Sequence, residues 1–262
     1  MKFATVLLWL TACLIAPGGE ALAFAPADLA AFAFQPHPGA QLPLSVPLTN
    51  ADGRAVRLGD FFAGKPVVVV LEYLRCKTFC GLTLRNVIAA LDALPLDAGR
   101  DFQMVAISID PRDTPAANAR AKAQYLAGYH HPGGADGIHF LTGSAASVRQ
   151  VADAIGFPYR YDSAAEQYIH PAGFILAAPD GRISRYIYGI GAAADELHTG
   201  LADAAQGEAL TPLDRLFLLC HIEGAPLGRY TVPVMAALMI GNISAGTALI
   251  FVFATIRRRR HR

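Results

Sequence analysis

Cys76 and Cys80 form the motif CKTFC at the junction of a predicted buried strand and a predicted helix. At this spacing the two sulfur atoms are about one helical turn apart, close enough to form a disulfide or to bind one ion together. A helix N-terminus stabilises a thiolate, and Arg75 and Lys77 add positive charge beside Cys76. From spacing alone, a static disulfide and a functional dithiol both stay open.

A histidine near the dithiol would complete a metal site. Two thiolates with one neutral imidazole give a trigonal site that fits Cu(I). Among the eight histidines, His170 directly precedes Pro171 and a predicted buried strand, in a loop that could fold toward the cysteines, but spacing alone does not select it. The expectations for the others are that His37 and His261 lie outside the domain body, His130 and His131 are exposed in a loop, His139 is a core residue and His198 lies on a helix surface.

Strands and helices alternate around these residues. The run from Val67 to Leu74 is continuously apolar and rich in valine, which is typical of a strand buried on both faces. The predicted elements are an edge hairpin from 42–48 and 56–58, strands at 67–74, 102–109, 138–141, 173–178 and 182–188, and helices through 84–91, from Thr114 to about Tyr129, through 148–155 and over 194–206. This order predicts an α/β fold with a mixed sheet and helices on both faces.

The two ends of the chain carry its excess apolar content. The composition is 53% hydrophobic and only 16% charged, whereas about a quarter of a soluble domain is charged. Residues 1–23 combine Lys2, a short apolar run and small residues before position 24, which is typical of a cleaved signal peptide. An uncleaved anchor and a lipobox at Cys13 are the alternatives. Residues 232–256 carry no charge and are long enough to cross a bilayer.

These ends predict the location of the body of the chain. The basic tail at 257–262 is expected to stay in the cytoplasm. A domain at 24–206 would then lie in the periplasm or its equivalent, joined by a juxtamembrane linker at 207–231 to a single membrane span. The net charge is +1, and the region between the ends is slightly acidic, so nucleic acid is not an expected partner. Cys220 and His221 precede the span in an apolar run. Cys220 is expected to be a buried or membrane-lying thiol, and the alternative is that it forms an auxiliary copper or redox site at the membrane surface.

Three segments together resemble the Sco/SenC family of thioredoxin-like copper proteins, which serve cytochrome oxidase assembly. Residues 73–80 resemble its CxxxC motif, and residues 108–115 resemble its S-x-D-P-x-x-D-T-P segment. Residues 169–171 followed by 174–181 resemble its histidine loop and the hairpin after it. The match covers roughly residues 40–205, and the segments occur in the family's order and spacing.

The resemblance implies a thioredoxin-like fold and a copper ion bound by Cys76, Cys80 and His170. It also implies, as partner, the respiratory oxidase subunit that carries a dinuclear copper centre. Asp110 and Asp113 would be structural or lie just outside the ligands.

The chain departs from the family pattern at two positions. Lys77 stands where the family often has proline, and Ile169 stands where it commonly has aspartate. Lys77 should favour thiolate formation, whereas Ile169 removes a hydrogen-bond acceptor near the imidazole. A C-terminal anchor with a cleaved signal peptide fits a bacterial subgroup.

Several functions share this site. The first is a copper chaperone, which is not an enzyme. The second is a thiol–disulfide oxidoreductase that reduces the target's cysteines with Cys76 and Cys80 and does not need His170. The third is a copper or redox sensor. A peroxidase on the same fold would need one activated cysteine in a Thr/Arg environment, and the usual pattern for that is absent from the sequence around the motif.

Overall fold

A computed structural model describes residues 32–73, 80–207 and the single position 240. Several predictions concern residues outside this range: the signal peptide, Cys13, Cys76, Cys220, His221, the linker beyond Gly207, the membrane span apart from Ile240, and the basic tail. Within the described residues, no helix is both long enough and apolar enough to cross a membrane.

The domain is built on a mixed sheet of seven strands. The strands are β1 (Pro47–Asn50), β2 (Ala55–Arg57), β3 (Val67–Glu72), β4 (Gln103–Ser108), β5 (Ile138–Thr142), β8 (Gly173–Ala177) and β9 (Ile183–Tyr188), with a separate hairpin of β6 (Arg160–Asp162) and β7 (Gln167–Ile169). The spatial order is β2-β1-β5-β4-β3-β8-β9. The central strands β3, β4 and β5 are parallel, and the outer pairs are antiparallel.

Within the part of the chain that the structure describes, four helices of more than one turn cover the sheet. They are α1 (Cys80–Asp92), α2 (Pro115–Leu126), α3 (Ala145–Ile155) and α4 (Ala194–Ala205). Side chains of α1, α2 and α4 pack on one face, and side chains of α3 pack on the other. The predicted mixed sheet with helices on both faces is therefore confirmed.

Strand β3 explains why its sequence is apolar without alternation. Val67, Val69 and Leu71 belong to the core beneath α3, whereas Val68 and Val70 belong to the core beneath α1. A strand covered on both faces must be apolar at every position. Because β3 is parallel to β4 and α1 is the crossover between them, α1 begins at the end of the sheet where β3 finishes.

The helix boundaries follow their capping residues. The Oγ1 atom of Thr114 accepts a hydrogen bond from the backbone N–H of Ala117 at 3.2 Å, with Pro115 as the first residue of α2. Gly156 ends α3 in the left-handed conformation, at a φ of 69°. Threonine before a helix and glycine after one are residue types that favour these two helix ends. The predicted end of α2 near Tyr129 is wrong: the helix ends at Leu126, because Tyr129 turns inward and its hydroxyl accepts a hydrogen bond from the backbone of Ala98.

One strand boundary and one hairpin also differ from the sequence prediction. The first strand does not cover 42–48 but begins only at Pro47. The segment around Pro43 folds into turns instead, because Pro43 has no N–H to donate to a sheet ladder. The hairpin of β6 and β7 is not predicted at all. Its strands have three residues each and are mostly polar, so they carry no alternating pattern.

His139 on β5 has the structural role that the sequence predicts. Its Nε2–H donates to Oε1 of Gln103 at 2.8 Å, and its ring centroid lies 4.4 Å from that of Phe61. Burial, and after it the charge of Lys122, lower the pKa of His139 from 6.5 to about 4. The imidazole is therefore neutral in the folded protein at ordinary pH.

We expect His139 to make folding sensitive to acid. Because its folded-state pKa is depressed, its contribution is fully present above pH 6.5 and is lost progressively as the pH falls toward about 4. The loss amounts to at most about 3 kcal/mol in the free energy of unfolding. H139Q keeps a donor for Gln103 but cannot titrate. Urea unfolding at pH 7 and at mildly acidic pH checks this, and an equal loss of stability on acidification in both proteins would contradict it.

Candidate metal centre

The pairing of β8 with β3 positions His170 at the end of the sheet where α1 begins. These strands are antiparallel, with Val69 opposite Ile175, so the loop that enters β8 lies beside the residues that follow β3. The ring of His170 lies 6.0 Å from the ring of Tyr73 and stacks at 5.5 Å on that of Phe157, measured between centroids. His170 is thus fixed between two aromatic side chains.

The hydrogen bond of His170 determines which ring nitrogen can bind a metal. Nδ1 lies 2.8 Å from the carbonyl oxygen of Pro171, which can only accept, so Nδ1 carries the proton. The lone pair of the neutral ring is then on Nε2. Ile169 provides no carboxylate acceptor, and a backbone carbonyl takes that role here. This is the outer contact that orients a metal-binding histidine.

The environment of His170 keeps the imidazole neutral. Burial lowers the pKa of His170 below its usual value, and the hydrogen bond to Pro171 opposes this effect only in part. A metal ligand must be deprotonated at the binding nitrogen, so a lowered pKa makes the ring available at neutral pH.

The cysteine motif lies in the chain between the end of β3 and the start of α1. Strand β3 ends at Glu72, two residues before the predicted end of that strand, and Cys80 is the first residue of α1. Cys76 and the side chain of Cys80 lie outside the described residues. Among the side chains that are described, no group of three or more potential metal ligands occurs. The pairing of β8 with β3 nevertheless brings the start of α1 and the loop of His170 to the same edge of the sheet.

Asp110 and Asp113 stabilise the loop after β4, in agreement with the structural role that the resemblance implies. Asp110 is 1% exposed and accepts hydrogen bonds from Nε and Nη2 of Arg112, both at 2.8 Å. Asp113 accepts a hydrogen bond of 2.7 Å from Oγ of Ser108. The guanidinium of Arg112 also stacks 4.8 Å above the ring of Tyr161 in the β6–β7 hairpin.

An aromatic cluster that the sequence does not reveal supports the hairpin before His170. The ring of Tyr168 lies 5.3 Å from that of Tyr73 and 5.2 Å from that of Tyr161. Aromatic pairs at such distances stabilise by about 0.5–1.5 kcal/mol beyond their buried area. These contacts tie β7, and with it His170, to the end of β3.

The remaining described histidines lie away from this edge of the sheet or have other contacts. His198 on α4 and His130 are exposed, as expected. His131 is half-buried, not exposed, because Asp97 and the carbonyl of Asp92 contact its two ring nitrogens. His37 does not lie outside the domain body: its backbone N–H donates to the hydroxyl of Tyr186 at 2.8 Å.

The fold and the site together define a thioredoxin-like protein with a dithiol motif at a strand-to-helix junction and a neutral histidine at the same edge. The family model of SCO1/SenC matches residues 39–205. The chain therefore belongs to the SCO1/SenC family. No curated protein sequence matches the chain.

Solved structures share this fold. A protein of Aquifex aeolicus VF5, proposed to act in electron transport, is 26% identical with a TM-score of 0.54, over 65% of this chain and 99% of that chain. Arabidopsis thaliana ScoI, solved with copper bound, is 24% identical with a TM-score of 0.50, over 64% and 98%. BsSco, described as a member of the Sco family of cytochrome c oxidase assembly proteins with a disulfide switch, is 22% identical with a TM-score of 0.50, over 65% and 97%.

Proposed function

We propose that this protein is a membrane-anchored copper chaperone of the periplasm. It binds Cu(I) through Cys76, Cys80 and His170 and delivers the ion to the dinuclear copper centre of a respiratory oxidase subunit. The observation that carries the proposal is the state of His170, whose ring is neutral, oriented by Pro171 through Nδ1 and positioned at the sheet edge where α1 begins. Thiol exchange alone needs no such imidazole.

The residues of this edge suit the chemistry of Cu(I). Thiolate sulfur and imidazole nitrogen are the soft and intermediate ligands that this ion prefers, and three ligands leave the ion open to exchange with a partner. The N-terminus of α1 favours deprotonated sulfur. Membership of the SCO1/SenC family and the copper bound to Arabidopsis thaliana ScoI support the same choice of metal.

A second function, reduction of the partner's copper-ligand cysteines, is favoured by the position of Cys80 as the first residue of α1. In this reaction the thiols of Cys76 and Cys80 give two electrons and two protons to a disulfide of the partner. Their own sulfur atoms then form a disulfide, and the partner's sulfur–sulfur bond breaks to two thiols.

One transfer experiment separates the two functions. The full-length protein, loaded with Cu(I), is mixed with the purified copper-centre domain of a respiratory oxidase, and the two are separated again. We expect copper to appear in an acceptor whose cysteines are already reduced. Copper that stays with the donor, together with reduction of a disulfide-containing acceptor by the copper-free protein, would instead establish the oxidoreductase.

The predicted topology decides where this chemistry can act. We expect a reporter enzyme that is active only in the periplasm to be inactive when fused after Arg262, because the arginine tail is retained inside. The same reporter fused after Gly207, at the end of the described domain, should be active and serves as the matched control. Activity of the fusion after Arg262 would reverse the orientation and exclude copper delivery to an external domain.

A further inference from the structure

A groove on the surface of the domain, called the α2 groove below, lies beside the first turn of α1. Its volume is about 450 Å³, and it is lined by the loop after β4 and by one side of α2. Tyr125 forms part of its wall, and the hydroxyl of Tyr125 donates to the carbonyl of Gly81 on α1 at 3.5 Å. A Cβ atom at Gly81 would lie 2.9 Å from this hydroxyl, so the glycine permits the close approach.

The α2 groove is joined to His170 by direct contacts between described side chains. Arg112 lines the groove, and its guanidinium lies 4.8 Å above the ring of Tyr161. The ring of Tyr168 contacts those of Tyr161 and Tyr73, at centroid distances of 5.2 and 5.3 Å. Tyr73 in turn lies 6.0 Å from the ring of His170. The groove and the proposed metal ligand therefore belong to one region of the surface.

Two guanidinium groups are the exposed charges of the α2 groove. Half of the side chain of Arg112 is exposed, and Asp110 accepts hydrogen bonds from its Nε and Nη2 atoms at 2.8 Å. Arg120 on α2 is exposed and forms no ion pair within the part of the chain that the structure describes. Asp113 also lines the groove, but it is only 7% exposed and its carboxylate accepts a hydrogen bond from Ser108. The groove therefore presents positive charge to a ligand.

The helices beside the groove show the same bias. Helix α2 carries Arg120 and Lys122 and no acid. Helix α1 carries Arg85, and its acid, Asp92, is its last residue and contacts His130. Helix α4 is the opposite case, with three acids and no lysine or arginine. Because the region between the ends of the chain is slightly acidic as a whole, the positive charge at α2 is a local feature.

We propose that the α2 groove is the docking site for an acidic segment of the protein that receives the copper. Carboxylates of that segment bind the guanidinium groups of Arg112 and Arg120, and the amide of Gln124, which also lines the groove, donates to the same segment. This inference rests on the proposed copper delivery and adds how the partner is recognised.

The chemistry of the groove favours a protein segment over a lipid surface. A guanidinium such as that of Arg120 matches a carboxylate, with two parallel N–H···O bonds. Arg112 is already held by Asp110 and Tyr161, so its ordering costs little when a ligand binds. Acidic lipids are recognised by clusters of about four to eight cations, whereas this groove is a recess with two.

Such a groove would act mainly on the rate of encounter. Complementary charges on two proteins speed their association and fix their relative orientation. The contacts from Arg112 to His170 place the proposed ligand beside the docked partner. Charge at the α2 groove should therefore change the speed of copper transfer without changing the affinity for copper.

Peptide binding by the copper-free, full-length protein is the first measurement. The probe is a fluorescently labelled peptide of glutamates, and the same peptide of glutamines is its neutral counterpart. We expect R120E to bind the glutamate peptide about tenfold more weakly than the wild type, because it loses charge-assisted hydrogen bonds and gains repulsion. R149E reverses an exposed arginine on α3, on the other face of the sheet, and should bind as the wild type does.

Gln124 allows a test in both directions without changing an arginine. It is exposed on α2, so its replacement should not disturb folding. Q124K should bind the glutamate peptide more tightly than the wild type, and Q124E should bind it more weakly. Equal binding by the wild type, R120E and Q124E would overturn the proposal. Displacement of the peptide by soluble glycerophosphoserine at lower concentration than by unlabelled peptide would assign the groove to a lipid headgroup and would also overturn it.

The rate of copper transfer to the copper-centre domain of a respiratory oxidase is the second measurement. We expect R120E to slow transfer about tenfold at low salt, and the difference to vanish at high salt, because salt screens exposed charges. R149E should match the wild type, and a Cu(I) chelator should find equal copper affinity in all three proteins. Equal transfer rates at low salt would overturn the proposal. If no protein transfers copper, the proposed function fails, and peptide binding still tests the groove.

Discussion

Replacement of Cys76 or Cys80 by serine is expected to abolish Cu(I) binding by the full-length protein. Each change exchanges a soft thiolate for a hard, protonated hydroxyl and leaves one sulfur ligand, which cannot hold Cu(I) against competing thiols. Each single variant also loses the ability to form an internal disulfide. Copper content after dialysis against a competing Cu(I) chelator, together with counting of free thiols, measures both effects.

Cys220 offers a control for these variants. It is a cysteine of the same chain outside the CxxxC motif, so C220S should retain one copper ion per chain and the Cys76–Cys80 disulfide. Full copper content in C76S or C80S would remove the motif from the site. Loss of copper in C220S would instead add the segment before the membrane span to it.

H170A is expected to weaken Cu(I) binding while leaving the disulfide intact. Loss of even an outer contact of a metal ligand costs about 10- to 100-fold in affinity, so loss of the ligand itself should cost about 100-fold or more. The two thiolates remain and can still be oxidised to a disulfide. Competition with a Cu(I) chelator measures the affinity, and thiol titration before and after oxidation measures the disulfide.

The matched control for this variant is H198A. His198 is exposed on α4, so its replacement should change neither copper affinity nor disulfide formation. Unchanged copper affinity in H170A would remove the histidine from the site and would favour the oxidoreductase. A variant that loses both copper and the disulfide would point to a general disturbance of the loop, because the ring of His170 also packs on Tyr73 and Phe157.

The central strands and the helices could be predicted because their signals are local. A run such as 67–72 is apolar at every position, and Thr114 with Pro115 carries a capping signal within a few residues. The β6–β7 hairpin could not be predicted, because its two short strands are held by contacts made far along the chain. Tyr161 and Tyr168 there pack with each other and with Arg112 and Tyr73.

The candidate site shows the same division. The CxxxC motif and the segments around it identify Cys76, Cys80 and His170 as a set by resemblance. Their chemistry alone does not distinguish His170 from the other histidines, since a histidine acquires its role from its surroundings. Arg112 and Arg120 stand in the sequence as ordinary surface cations, and nothing there shows that they line one groove.

The sequence by itself determined the order of the seven strands of the sheet and of the four long helices, the CxxxC motif that ends at the first residue of α1, and the family, because these depend on residue types and on spacings of a few positions. Only the tertiary structure decided that the loop before β8 reaches the end of β3, that Nδ1 of His170 is occupied by the carbonyl of Pro171, and that Arg112 and Arg120 line one groove beside α1. The physical reason is that strand pairing and burial bring together residues about 100 positions apart, and the protonation of a side chain follows from what then surrounds it.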